Sequence, residues 1–280
     1  MLSRQHILLI VCVLSPFILI HLMSSTLSMP SLVEVRYEHA ARLEPPIPRL
    51  SQAGLTADQV GVKRLHHEMQ MAKQVVSYDT SGTDFWQKNW EPSYTCTALA
   101  RLGRSGDGGK WVCDPHTYLQ QSPCVVYSFG SSGDFSFEEA VHAMAPACEI
   151  HTIDPAPPSN PPPFLQYHQG TLGETFTPKS LMHQLGHTNV TLMKMDCEGC
   201  EFGALTPSTL PPEGAAIQQI LFEIHYQGDP SKTHTLFQTL SSLGYAIFSK
   251  EANLGAGGSC IEFSVVHLDK QLQVEELPIT

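Results

Sequence analysis

From residue 124 onward, apolar and polar positions fall into a repeating order. CVVYSFG (124–130) is a continuous apolar run closed by glycine, the pattern of a strand buried on both faces. DFSFEEAVHAMA (134–145) changes to a helical period, with Phe135, Phe137 and Ala140 to Met144 on its apolar side. CEIHTID (148–154) is a second strand, and the prolines from Pro155 to Pro163 forbid its continuation. FLQYHQG (164–170) reads as a third strand, TPKSLMHQLG (177–186) as a short helix with a glycine stop, and VTLMKMD (190–196) as a fourth strand. IQQILFEIH (217–225) is a fifth strand. KTHTLFQTLSSLG (232–244) is a helix with Leu236, Phe237, Leu240 and Leu243 at helical spacing and Gly244 as its cap. YAIFSKE (245–251) and CIEFSVVHL (260–268) close the pattern, joined by the glycine-rich LGAGG.

Strands alternating with helices imply a parallel sheet covered by helices on both faces. The last two strands have no helix between them and must pair as a hairpin, which makes one strand antiparallel. The expected fold is therefore α/β, a doubly wound, mostly parallel sheet of seven strands ending in an antiparallel hairpin, within a domain spanning 79–270 and followed by a tail at 271–280. Residues 79–123 hold aromatics, glycines and two cysteines without a repeating pattern, and read as a cap or entry segment.

The N-terminal part is different. Residues 7–23 (ILLIVCVLSPFILIHLM) form an apolar run with Arg4 before it and no charge after it until Glu34. Such a run can span a bilayer, and the positive-inside rule leaves Arg4 in the cytosol. The expectation for 1–23 is a single-pass type II anchor, with a cleaved signal segment as the competing reading. Either sends the rest of the chain into the secretory pathway, facing the ER or Golgi lumen or secreted after cleavage. Residues 24–78 read as a stem, with the proline-rich EPPIPRL and an amphipathic helix at 61–78.

Composition narrows the function classes. A hydrophobic content of 42% with 15% charged residues supports a packed core. The net charge is −11, and the 16 lysines and arginines never cluster, which excludes nucleic acid as the main partner. Of eight cysteines, Cys12 lies in the apolar run and seven follow it. An oxidising compartment permits disulfides. Cys96 and Cys113, bracketing RLGRSGDGG, are the expected pair, and the odd number leaves one thiol outside intramolecular pairing. The sequon Asn189-Val190-Thr191 falls at the start of a strand.

Ligands of doubly wound sheets bind at the carboxyl ends of the strands. Gly130 and Gly133 lie between the first strand and its helix, where glycine lets backbone approach a ligand, although GSSG also fits a plain tight turn. Asp154 closes the second strand about 20 residues later, the place of an acid that accepts ribose hydroxyls; a turn aspartate before prolines is the simpler alternative. Lys194, Asp196 and Glu198 alternate at the end of the fourth strand, and Gly199 frees the chain to turn into a short helix containing Glu201 and Phe202. Asp196 and Glu198 can orient an ammonium, act as a base or hold a divalent cation. Glu223 and His225 close the fifth strand and join this group of acid, base and metal candidates, or simply pair with each other. A redox CxxC also opens a helix after a strand, but here Cys197 and Cys200 follow the fourth strand and not an early one, and zinc lacks a second ligand pair, so they read rather as small buried residues or partners of other cysteines.

MKMDCEGCEFGAL resembles the K-x-D-x-E-G-x-E segment of the FkbM-type methyltransferases. From about Trp86 to His267, GGKWVCDP, CVVYSFGSSGDFSFE, HTIDP, LMKMDCEG and LFEIHY, in that order, resemble the methyltransferase-like protein 24 group. The resemblance implies a Rossmann-like class I methyltransferase that uses S-adenosylmethionine (SAM). It places Gly130 and Gly133 beside the methionine portion, Asp154 on the ribose, and Asp196 near the transferred methyl and the acceptor. Asp196 or His225 then removes the proton of a hydroxyl acceptor, whether small molecule, glycan or protein. If a divalent cation assists, Asp196, Glu198, Glu223 and His225 are its candidate ligands. Phe129 and Ser131 depart from the pattern, standing where many relatives carry an acid and a third glycine. That departure favours a second class, a non-catalytic lumenal scaffold that keeps the fold. The anchor-and-stem layout also suits a Golgi glycosyltransferase, but its D-x-D motif is only approximated by Asp196-Cys197-Glu198.

Overall fold

The computed structural model describes residues 89–211, 217–225, 230–253 and 260–268, with residues 65 and 67–69 before them, all within the unit Gln52–Thr280. Residues 65 and 67–69 are helical, inside the helix expected at 61–78. The 7–23 run, the 24–60 stem, the LGAGG turn and the 271–280 tail lie outside the described residues. Among the described residues no helix is long and apolar enough to cross a membrane.

Among the described residues from 89 onward, the first elements are a two-stranded antiparallel hairpin, β1 (Leu99–Leu102) and β2 (Lys110–Cys113), then a short helix α1 (Pro115–Tyr118). There follow β3 (Val125–Phe129), α2 (Ser136–Met144), β4 (Glu149–Asp154), β5 (Leu165–Gln169), α3 (Pro178–Leu185), β6 (Val190–Met195) and α4 (Glu201–Ala204). β7 (Ile217–His225), α5 (Pro230–Ser242), β8 (Tyr245–Ala252) and β9 (Cys260–His267) complete the order. The large sheet has seven strands in the order β5-β4-β3-β6-β7-β9-β8. β9 runs antiparallel to both neighbours, with Phe222 opposite Phe263. This is the expected α/β sheet with its one antiparallel strand.

The apolar runs follow from burial on both faces: every residue of β3, β6 and β7 is buried. Alternate residues serve opposite cores. Val125, Tyr127 and Phe129 join Phe222, Phe263, Leu236 and Phe237 on one face, while Val126 joins Ile150, Leu192, Phe137 and Tyr118 on the other. α3 has local stops at both ends. Thr177 and Ser180 form a reciprocal capping box, and Gly186 takes the left-handed conformation (φ 73) that ends the helix.

The hairpin β1–β2 is absent from the expected elements at 79–123. Its strands have four residues each, too few to show a period, and its turn is glycine-rich. Arg101 holds that turn by donating from Nη2 to the Gly109 carbonyl at 2.9 Å, and pairs with Glu251 of β8. Disulfides join Cys96 to Cys113, as expected, and Cys124 to Cys148. A third joins Cys197 to Cys200, so these two are each other's partners and not partners of other cysteines. Cys260 stands outside the disulfides.

Candidate functional site

The chain leaves β3 for β4 and β5 on one side and returns as β6 on the other. The switch point therefore lies between the ends of β3 and β6, where Phe129 is paired with Met195. Past it, the Asp196 N–H donates to the Phe129 carbonyl at 2.9 Å and the Gly130 N–H donates to the Ile153 carbonyl at 3.0 Å. Gly130 has φ 77, and a Cβ there would overlap the Asp196 carbonyl oxygen. Only glycine fits this crossing. The buried Lys194 fixes it further by donating from Nζ to the Gly130 carbonyl at 3.0 Å.

These strand ends form the wall of a cavity of about 810 Å³, within the size range of small-molecule sites. Gly130, Ser131, Ser132, Asp154, Asp196, Glu198, Glu223 and His225 line it, together with Arg104, Asp107 and Gly108 from the β1–β2 turn. Gly133 is not part of this wall. Its φ is 81 with open space around the missing Cβ, so it supplies the turn into α2 and not a ligand surface. Asp154 is buried, and its carboxylate accepts from the Ser132 N–H and the Ala156 N–H, both at 2.9 Å. It thereby ties the glycine turn of β3 to the end of β4.

The acidic side of the cavity centres on Asp196. Lys110, 1% exposed, donates from Nζ to Asp196 Oδ2 at 3.0 Å and to Glu262 Oε1 at 2.5 Å. Burial works against each of these charges, but the pairing wins for two of them. The carboxylates of Glu262 and Asp196 raise the Lys110 pKa, and the cations of Lys110 and Lys194 hold the Asp196 carboxyl below its ordinary range. Glu262 goes the other way, raised by burial. Neither Lys110 nor Glu262 carries a signal in the sequence. Lys110 sits in the segment without a period, and Glu262 alternates inside an ordinary strand pattern.

Glu223 and His225 differ from Asp196. Burial pushes the Glu223 carboxyl up to about 7, aided by the charges of Asp196 and Glu262 and opposed by a hydrogen bond from Asn253 Nδ2 to Oε1 at 2.9 Å. For His225 burial disfavours the charged ring, yet facing carboxylates raise its pKa to about 9. Glu201 Oε1 lies 3.6 Å from Nδ1, and Glu198 Oε2 and Glu223 Oε2 lie 3.4 and 3.7 Å from Nε2. Glu201 also accepts the His225 backbone N–H at 2.8 Å. The facing carboxylates thus favour the protonated ring, which works against the neutral base expected from its residue type.

The expected cation ligands do not converge as one set. Among the described residues, one cluster of donor atoms contains Glu223, His225 and Cys260, and another contains Asp107, Asp196, Glu223 and Glu262. Glu198 is in neither: its carboxylate approaches His225 at 3.4 Å, but its side chain is 87% exposed at the cavity rim. The Lys110 ammonium already bridges two carboxylates of the second cluster.

A family model described as a methyltransferase domain matches residues 56–267. The chain belongs to this family, and methyl transfer from SAM is the activity that membership assigns. The sheet described above is its Rossmann-like fold. None of the curated proteins matches the chain significantly. Among solved structures it is similar to the Methanococcus jannaschii fibrillarin pre-rRNA processing protein, at 10% identity over 61% of this chain and 83% of that one, with TM-score 0.38. It is similar to Aeropyrum pernix fibrillarin, a complex with natively bound SAM, at 12% identity over 62% and 85%, TM-score 0.36. It is also similar to the antibiotic-resistance methyltransferase Kmr, at 13% identity over 61% and 100%, TM-score 0.36.

Proposed function

We propose that the chain methylates a hydroxyl or similar nucleophile of a small-molecule, glycan or protein acceptor, and that it does so in the secretory pathway as a relative of the methyltransferase-like protein 24 and FkbM-type enzymes. The observation that carries the reading is the meeting, in one cavity, of the glycine crossing at Gly130, the Asp154 tether and the Asp196–Glu223 carboxylates. The three disulfides and the N-terminal apolar run support the compartment.

The cavity suits SAM in size. The backbone of Gly130 to Ser132 and the carboxylate of Asp154 would hold it. When bound, SAM supplies an electrophilic methyl group on a sulfonium. Asp196, kept ionised by Lys110, orients positive charge. Glu223, with its pKa near neutral, receives the acceptor's proton, a role the sequence reading gave to Asp196 or His225. The cationic His225 lies 3.7 Å from Glu223 and stabilises the carboxylate before the proton arrives. Lys110 and His225 provide positive charge where a divalent cation was the alternative.

The test is transfer of labelled methyl from SAM to a panel of glycans, lipids and secreted proteins. Glu223→Gln is expected to abolish transfer while SAM affinity stays within a few-fold. Transfer at the wild-type rate by Glu223→Gln removes it as the base. The scaffold reading is favoured by one observation, that both Asp154 oxygens already accept backbone N–H groups. A folded chain that binds no SAM selects it.

A further inference from the structure

Glu149 opens β4, the strand that Asp154 closes, and His151 follows two residues later on the same face. His187 comes from the connection between α3 and β6. Their donor atoms converge. His151 Nε2 is 2.9 Å from Glu149 Oε1, and His187 Nε2 is 3.5 Å from Glu149 Oε2. None of the three lines the methyl-transfer cavity.

The far nitrogen of each ring is already engaged. His151 Nδ1 lies 2.9 Å from His168 Nε2, and His187 Nδ1 lies 2.7 Å from the Tyr127 hydroxyl. Gln166 Nε2 donates to Glu149 Oε1 at 2.8 Å. When each Nδ1–H is donated outward, both Nε2 lone pairs face one carboxylate. In that tautomer two imidazole lone pairs and a carboxylate face one another, an arrangement that a cation between them satisfies. An outer partner that fixes the ring in this tautomer is the usual companion of a metal-bound histidine.

We propose that Glu149, His151 and His187 form a binding site for a divalent transition metal of the zinc class, separate from the methyl-transfer cavity. Metal–ligand distances of 2.0–2.1 Å put two ligands of a tetrahedral ion roughly 3.3 Å apart, between the two separations found here. Two imidazoles with one carboxylate suit zinc better than magnesium or calcium, which take oxygen ligands. The Glu149 side chain is 43% exposed, so the ion enters from solvent and water takes the fourth position. The bound ion ties β4 to the connection that leads into β6.

The test uses the full chain without a histidine tag, stripped by a chelator and titrated with zinc against a chromophoric competitor. One equivalent is expected at this site, undisturbed by excess magnesium. His187→Gln and Glu149→Gln each weaken that equivalent by at least about 10-fold, and Tyr127→Phe, which removes only an outer partner, by roughly 10-fold. Cobalt in place of zinc is expected to give the visible bands of a tetrahedral site, lost in His187→Gln. Circular dichroism confirms folding, and Glu149→Gln decides the matter if His187→Gln fails to fold. No zinc uptake by the folded chain overturns the proposal. So does uptake unchanged in both variants, which puts the ion elsewhere.

Discussion

Lys110 of the short hairpin and Asp196 at the end of β6 are joined by a 3.0 Å ion pair, and the lysine is 1% exposed. A second carboxylate, Glu262 on β9, shares the same ammonium. The hairpin is therefore tied electrostatically to the candidate site.

Removing the ammonium leaves two largely buried carboxylates without it. Lys110→Met is expected to cost about 3–5 kcal/mol of stability, the range for breaking a buried pair. Urea unfolding measures it, and a loss under about 1 kcal/mol contradicts the bridging role.

The two glycines of the β3 turn are expected to behave differently. Gly130→Ala places a methyl on the Asp196 carbonyl and distorts the switch point, so SAM binding is lost. Gly133→Ala meets open space and costs only the left-handed backbone of an L residue, about 1–2 kcal/mol. Thermal unfolding of both variants, with SAM titration of each, separates them. Equal effects count against the crossing at Gly130.

His225 is expected to make stability fall with pH in the alkaline range. Its folded pKa, about 9, stands above its ordinary value of 6.5, so the protonated form is the one the fold favours. That contribution is complete below about pH 6.5 and disappears as pH rises through about 9. The groups facing the ring are Asp196, Glu198, Glu201 and Glu223. The stability advantage of the wild type over His225→Gln should shrink between about pH 6 and pH 10. A ring-proton NMR titration with a midpoint near 6.5 contradicts this.

Most of the sheet was legible because its central strands β3, β6 and β7 are buried on both faces and read as apolar runs. The hairpin β1–β2 was not, since four-residue strands show no period and Lys110 is an isolated basic residue there. Residue types placed Gly130, Asp154, Asp196, Glu223 and His225 at strand ends, and the structure brings all five to one cavity. The roles were less legible. Protonation depends on partners from distant segments, such as Glu201 beside His225 and Lys110 beside Asp196. Spacing placed Glu198 with Asp196 at the rim of the crevice, and it does line the cavity there, but its exposed carboxylate stays outside the clusters of converging donor atoms. The His151–His187 cluster had no local motif, because its members are 36 residues apart by number and meet only through the fold.

The most direct measurement is calorimetric titration of SAM into the full chain and into Asp154→Ala, with folding of each checked by circular dichroism. Saturable one-site binding by the wild type, lost in a folded Asp154→Ala, is the expected result. A folded wild type that takes up no SAM, or an Asp154→Ala variant that binds it as well, contradicts the assignment of this cavity.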